Sequence, residues 1–296
     1  MRKLTLAIAI KKVFTAKFLP GDELEVRLFS DLHLEFDDTF KIKNLKPNQI
    51  VVLAGDIHVK TRGLPWIKAI LELGNQVVFV AGNHEFFKTS MHKVIRAYEN
   101  LALEYDNFHF LNDSSVIIND VEFLGGTLWT SMDSENKEVF IPLGEKRFDR
   151  YSKTGVWDYR YIYLKREEPN GKNVYNVLKT KDTVSFHKKT VDYLKSRAGK
   201  HPVQFVVTHH APHEIFLNDK RDRNNEFAKF SYFSELHYLA KKFSYWASGH
   251  THKKVDQVID GVRYLSEPRG YMKTNKPGED VVKDFNAQKI ITIRSV

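Results

Sequence analysis

The chain contains no cysteine. That absence excludes disulfides, thiolate metal ligands and a cysteine nucleophile, so any metal must sit on His, Asp, Glu or Asn, and a reducing compartment is compatible. Long apolar runs are also missing. No stretch approaches the roughly eighteen residues of a membrane span, and a cytoplasmic protein that does not engage membranes is expected. Met1-Arg2-Lys3 and the run Leu4 to Ile10 have the outline of a signal peptide, but the run stops at Lys11-Lys12 and no small-residue cleavage pattern follows. Residues 1 to 23 read instead as an extension, an added strand or hairpin with Pro20-Gly21-Asp22 as its turn. Internal repeats, low-complexity tracts and Pro/Gly/Ser linkers are absent, which makes residues 24 to 296 one domain.

What is present suffices for a full core: 296 residues, 42% hydrophobic and 28% charged. Lys and Arg number 46 against 37 Asp and Glu, a formal charge of +9. Such a surface favours anionic ligands such as phosphoesters or nucleic acid without identifying one.

Short runs rich in Val, Ile, Leu and Phe at Leu24 to Phe29, Gln49 to Leu53, Gln76 to Ala81 and Val203 to Thr208 read as core strands. Between them Leu64 to Leu73, Ser90 to Tyr105 and Thr183 to Arg197 have helical spacing and length. This alternation predicts an α/β domain with helices over sheet faces. Two hairpins, turning at Asn119-Asp120 and at Asp260-Gly261, make the sheet system mixed. From about 133 to 181 the alternation is lost in a basic, aromatic stretch that reads as a cap-like insertion.

The chemistry gathers after the strands. Asp31-x-His33, Gly55-Asp56, Gly82-Asn83-His84-Glu85, His209 and Gly249-His250-Thr251-His252 each follow an apolar run, so five strand ends can deliver nitrogen and oxygen ligands to one place. Residues two apart on an extended chain point to the same side, which lets Asp31 and His33 converge, and His250 and His252 as well if that segment is extended. Asp56 has two oxygens and can bridge two ions. With Asn83, the set suits manganese, iron, zinc or nickel rather than copper(I) or calcium.

In this order the motifs resemble the calcineurin-like metallophosphoesterase superfamily over about residues 24 to 270. Phe29-Ser30-Asp31-Leu32-His33-Leu34-Glu35-Phe36, Thr208-His209-His210-Ala211-Pro212, Pro268-Arg269-Gly270-Tyr271 and Asp158-Tyr159-Arg160 are most similar to its small bacterial and phage members. The resemblance implies a four-layer αββα sandwich of two mixed sheets with a binuclear metal centre at the strand C-terminal ends. One ion would be held by Asp31, His33, Asp56 and His252, and the other by Asp56, Asn83, His209 and His250. His84 aligns with the family's catalytic histidine, while Glu85 orients its neighbours. The implied cofactors are two divalent or trivalent ions, manganese or iron first, with zinc or nickel also fitting. A bridging hydroxide would attack phosphorus, and His84 would protonate the leaving oxygen.

Substrate is less legible. Val80-Ala81 stands where the phosphoprotein phosphatases carry an arginine before Gly-Asn-His-Glu, which argues against that role. The run after Gly270 is short beside the added segments of the repair nucleases. Nucleotide-type or other small phosphodiesters and phosphomonoesters are the expected substrates, with short nucleic-acid ends as the alternative partner and a non-catalytic metal-binding scaffold as the least favoured one. His210, Arg160 and Tyr159 are candidate substrate contacts, although the rings around Tyr159 equally fit an anchor for the insertion. His58, His92, His109, His187, His201 and His237 read as surface or packing residues.

Overall fold

The computed structural model describes residues 10–13, 23–132, 156–167, 171–218, 230–271 and 282–294. The first sheet grows from the apolar runs near the N-terminus. β2 (Glu23–Phe29), β3 (Ile50–Ala54) and β4 (Val77–Val80) lie side by side in parallel, flanked by β6 (Phe108–Phe110) and by the antiparallel β15 (Ile291–Arg294). Every residue of β3 and β4 is buried, because both faces of this sheet are covered. The period of two sorts their side chains. Val51, Leu53, Val77 and Phe79 pack toward α1 (Leu64–Leu71) and α2 (Met91–Glu104), while Ile50, Val52, Ala54, Val78 and Val80 face the second sheet. On α2 the buried Met91, Val94, Tyr98 and Leu101 recur at three and four residues, the stripe that seats a helix on a sheet.

The second sheet runs β1 (Ile10–Val13), β7 (Ser114–Ile118), β8 (Val121–Gly126), β11 (Gln204–Thr208), β12 (Tyr245–Ala247), β14 (Val262–Ser266), β13 (Val255–Ile259). Both hairpins expected from sequence are in it, β7 with β8 and β13 with β14. Its inner face contributes Val116, Phe123, Phe205, Val207 and Leu265 to the core between the sheets. On its outer face Leu124, Val206, Trp246 and Tyr264 meet residues of α4 (Thr180–Arg197) and α5 (His237–Ala240). The order is therefore helices, sheet, sheet, helices, the mixed α/β sandwich that the motifs imply.

Three local expectations can be compared with the structure. Helix α4 begins at Thr180 rather than Thr183, since the Asp182 carboxylate accepts the Lys179 N–H at 2.9 Å and caps the first turn. Residues 1 to 23 do supply a strand, β1, which runs parallel to β7 from Ile10 beside Ser115 to Val13 beside Ile118. Its proposed turn at Pro20-Gly21-Asp22 lies outside the described residues. The stretch from 133 to 181 is more regular than its composition suggests. It holds α3 (Asp158–Tyr161) and a hairpin of β9 (Ile162–Glu167) and β10 (Asn173–Val177), joined by β5 (Thr89–Ser90) into a three-stranded sheet. No residue of β10 is buried, so it shows no apolar run to read. The remainder of that insertion, 133–155 and 168–170, lies outside the described residues. No helix among the described residues is long and apolar enough to cross a membrane.

Candidate metal centre

Both large sheets end their parallel strands on one side, and the site is assembled there. Asp31 and His33 follow β2, Asp56 follows β3, Asn83 and His84 follow β4, His209 follows β11, and His250 and His252 follow β12. The loops are held to one another by backbone bonds: Asp31 N–H to Gly55 C=O at 3.0 Å, His33 N–H to Asp56 C=O at 3.0 Å, and Gly249 N–H to His209 C=O at 3.0 Å.

Convergence of the ligand pairs does not come from extended chain. Asp31 (φ 50°), His33 (φ 44°), Asp56 (φ 55°), His250 (φ 68°) and His252 (φ 54°) all adopt the left-handed region. Five non-glycine residues in that uncommon conformation at one place store backbone strain, as functional sites do. The extended geometry expected for Asp31-x-His33 and His250-x-His252 is thus corrected: the chain coils tightly past each strand end.

The side chains meet closely. Possible donor atoms of Asp31, His33 and His252 lie within 4.8 Å of one another, as do those of His33, Asp56 and His84, and those of Asp56, His209 and His250. His33 links the first two groups and Asp56 the last two, with Asp56 Oδ2 3.9 Å from His33 Nε2 and 3.4 Å from His209 Nε2. His252 Nε2 is 3.5 Å from Asp31 Oδ1 and 3.1 Å from His33 Nε2. Asn83 Oδ1 is 3.0 Å from His209 Nε2.

These atoms fit a cation. The Ala54 carbonyl, 2.9 Å from His209 Nδ1, can only accept, so Nδ1 donates and Nε2 is turned toward two oxygens. In the neutral ring Nε2 then faces those oxygens as a third acceptor, a set that a proton or a metal ion satisfies. Asp31 Oδ2 is buried without a hydrogen-bond partner, a costly state unless a positive charge shares the site. The field is strongly anionic. Burial pulls the His209 pKa down, but Asp56 and Asp31 outweigh it and push it up to about 9. Burial likewise opposes protonation of His84, and Asp56 and Glu35 carry it to about 9. A field that draws protons onto buried imidazoles also draws metal ions.

His84 is held on several sides. Its N–H donates to Asp56 Oδ1 at 2.8 Å, Phe87 stacks on its ring at 4.3 Å, and His33 lies at 4.5 Å. Glu85 points away from this cluster. Its carboxylate accepts the N–H groups of Gly82 (2.7 Å), Asp56 (2.9 Å), Ile57 (2.8 Å) and His58 (3.2 Å), tying the loop after β3 to the loop after β4. That is the orienting contact expected of it.

The candidate substrate contacts differ in their surroundings. His210 is only 2% exposed, packed against Trp129 at 5.2 Å and His250 at 4.3 Å. Burial, with the His209 charge beside it, lowers its pKa to about 3. Tyr159 bonds Thr183 Oγ1 at 2.9 Å and packs on the helix-side core, while Arg160 lies over the rings of Trp157 (5.8 Å) and Tyr161 (5.6 Å). These contacts anchor the insertion. The remaining histidines include His109 bonded to Gln76 and His237 bonded to Tyr264 and Asp260.

Three residues enter the site that motif reading did not assign there. Glu35 Oε1 lies 3.0 Å from both His33 Nδ1 and His84 Nδ1. Asp158 accepts from Asn83 Nδ2, and Tyr271 packs on His33 at 4.3 Å and His252 at 4.7 Å. The spacing Asp31-x-His33-x-Glu35 was the available signal for Glu35; for Asp158 it was the family-like segment Asp158-Tyr159-Arg160, which does not itself reveal the contact with Asn83 75 residues away.

The sequence profile of calcineurin-like phosphoesterases matches residues 24–254. An uncharacterized protein of Acanthamoeba polyphaga mimivirus is 27% identical over 282 residues, covering 83% of this chain and 91% of that protein. Among solved structures, the phosphopantetheinyl hydrolase from Mycobacterium tuberculosis is similar with a TM-score of 0.62 at 15% identity, over 85% of this chain and 91% of its own.

Proposed function

Because this chain belongs to the calcineurin-like phosphoesterase family and is therefore a phosphoester hydrolase, we propose that its substrates are small phosphodiesters or phosphomonoesters, with nucleotide-type esters foremost. One observation carries the site assignment: Asp56 Oδ2 stands between His33 Nε2 and His209 Nε2, joining two ligand groups through one carboxylate. In this reading Asp31, His33, Asp56 and His252 hold one ion, and Asp56, Asn83, His209 and His250 hold the other. Manganese or iron suits the mixed nitrogen and oxygen donors.

The bound pair supplies Lewis-acid polarisation of the phosphoryl group and a water activated at neutral pH. The rest is done by side chains. Asp56 fixes His84 through the His84 N–H, and Glu35 turns the His84 ring so that Nε2 remains for the leaving oxygen. An alkoxide leaves poorly without a proton, and a proton delivered from Nε2 contributes a factor of roughly 10² to 10⁴. The rings of Phe87 and Tyr271 pack on the imidazoles of His84 and His33. The formal charge of +9 favours an anionic nucleotide substrate over a neutral one and keeps short nucleic-acid ends as the second reading.

The test is a screen of chelator-stripped protein reloaded with manganese, nickel or iron, against bis-p-nitrophenyl phosphate, its monoester, cyclic nucleotides, dinucleotides, oligonucleotides and a phosphopantetheinyl ester. The last is included because the M. tuberculosis protein of similar fold is a phosphopantetheinyl hydrolase. Turnover of a nucleotide-type ester supports the proposal. Turnover confined to esters lacking a nucleoside would overturn the substrate class.

A further inference from the structure

Glu35 holds two histidines with one oxygen. Its Oε1 is 3.0 Å from His33 Nδ1 and 3.0 Å from His84 Nδ1. An ionised carboxylate only accepts, so both rings donate from Nδ1 and both turn Nε2 away from Glu35. For His33 that atom lies 3.1 Å from His252 Nε2, among the candidate metal ligands. For His84 it is the atom left to face a substrate. The other oxygen of Glu35 adds no competing bond from His58. His58 Nδ1 is 3.7 Å from Oε2, beyond hydrogen-bond length, and it accepts the Val59 N–H at 2.8 Å, so it has no proton to offer. The two held rings meet edge to face with centroids 4.5 Å apart, and Tyr271 closes the far side of His33. With Glu35 mostly buried, these bonds act in a medium of low dielectric, where they are strengthened.

We infer that Glu35 is a positioning residue shared by the two functions of the site, a single oxygen that accepts Nδ1–H from the ligand His33 and from His84 together, so that both rings turn Nε2 away from it and a protonated His84 still carries there the proton it delivers. This assignment rests on the phosphoesterase reading above for its kinetic consequence, though not for its geometry. The arrangement makes His84 responsive to whatever happens at His33, because a rotation of either ring pulls on the same Oε1. Glu35→Gln keeps the shape and removes the charge, and Glu35→Asp keeps the charge and withdraws the oxygen.

The experiment has two arms. In the first, imidazole ¹⁵N–¹H correlation spectra of the metal-free protein report which nitrogen carries the proton. Wild type is expected to show a hydrogen-bonded Nδ1–H at both His33 and His84, and Glu35→Gln to shift or lose both Nδ1–H signals together. In the second, Glu35→Gln is expected to bind manganese about 10-fold to 100-fold more weakly and, once saturated with manganese, to keep its KM. Its kcat should fall about 10²-fold on an alkyl phosphodiester, and far less on a p-nitrophenyl ester that needs no proton. Unchanged spectra, or equal losses on both esters at saturating manganese, would overturn the assignment. Should Glu35→Gln not fold, Glu35→Asp is expected to release both rings and give the same contrast between esters, and an unchanged pattern in it overturns the assignment likewise. If wild type hydrolyses neither ester with any ion, the phosphoesterase reading fails, while the spectra still decide the role of Glu35.

Discussion

Asn83 Nδ2 donates to Asp158 Oδ1 at 2.9 Å, and the same amide presents Oδ1 to His209 Nε2 at 3.0 Å. The carboxylate can only accept, so it dictates which end of the amide faces His209. Asp158 begins the short helix α3 of the insertion. The insertion therefore reaches the metal centre through one hydrogen bond.

Asp158→Ala removes that constraint and lets the Asn83 amide turn. Partners behind a ligand are typically worth 10-fold to 100-fold in metal affinity, and a loss of roughly that size is expected here. Titration calorimetry with manganese on the stripped protein measures it. An affinity equal to wild type would show that Asp158 does not orient Asn83.

Asp56→Asn tests the shared carboxylate. The amide can still accept the His84 N–H through its oxygen, as Oδ1 now does at 2.8 Å, so the loop geometry is retained. The charge between His33 and His209 is lost. Metal content by mass spectrometry and phosphoesterase rate should fall together, and the protein should remain folded by circular dichroism.

His84→Ala separates chemistry from metal binding. The hydrogen bond from His84 to Asp56 comes from its backbone N–H, which the variant keeps. Metal content should be unchanged, and kcat on an alkyl phosphodiester should fall by roughly 10² to 10⁴. Full activity on that substrate would remove His84 from the proton transfer.

Much of this was legible in the chain because strands buried on both faces read as unbroken apolar runs. Ile50 to Ala54 and Val77 to Val80 are such runs, and the residues after them point to the site by position alone. The three groups of converging donors are drawn from motif residues, since a signature records the atoms that chemistry requires. What stayed hidden were the partners of those atoms. Glu35 and Asp158 act through single contacts whose meaning depends on ring orientation. The hairpin of β9 and β10 escaped notice because a strand with no buried residue carries no hydrophobic period. The left-handed backbone at Asp31, His33, Asp56, His250 and His252 was equally invisible, as no residue type there demands it.

Gly55→Ala probes the closeness of the loops. Gly55 has φ +86°, and a Cβ there would lie 2.4 Å from His209 Nδ1 and 2.7 Å from the Gly82 nitrogen. The neighbours are backbone and a ring already bonded to Ala54, so neither yields cheaply. A destabilisation of about 1–3 kcal/mol is expected from the overlap, with metal affinity reduced because His209 must move. Chemical denaturation followed by metal titration reads both effects. Retained affinity at reduced stability would mean that the strain is absorbed away from His209.

Asp256 gives a pH dependence remote from the metal centre. Its Oδ1 accepts from Arg263 Nε at 2.8 Å, and its Oδ2 lies 3.0 Å from Lys289 Nζ. Partial burial works to raise its pKa, but the hydrogen bonds from Arg263 and Lys289 prevail and lower it below the ordinary carboxylate value. A depressed folded-state pKa means stabilisation that is complete above the unfolded value and is lost as pH falls through the folded one. The group is partly exposed and screened by solvent, so Asp256→Asn should cost under about 1 kcal/mol at neutral pH. The melting temperatures of wild type and Asp256→Asn should therefore differ at pH 7 and converge as pH drops below about 4. If the difference stayed constant across that range, the loss would belong to packing at the β13–β14 hairpin and the ion pairs would contribute nothing measurable.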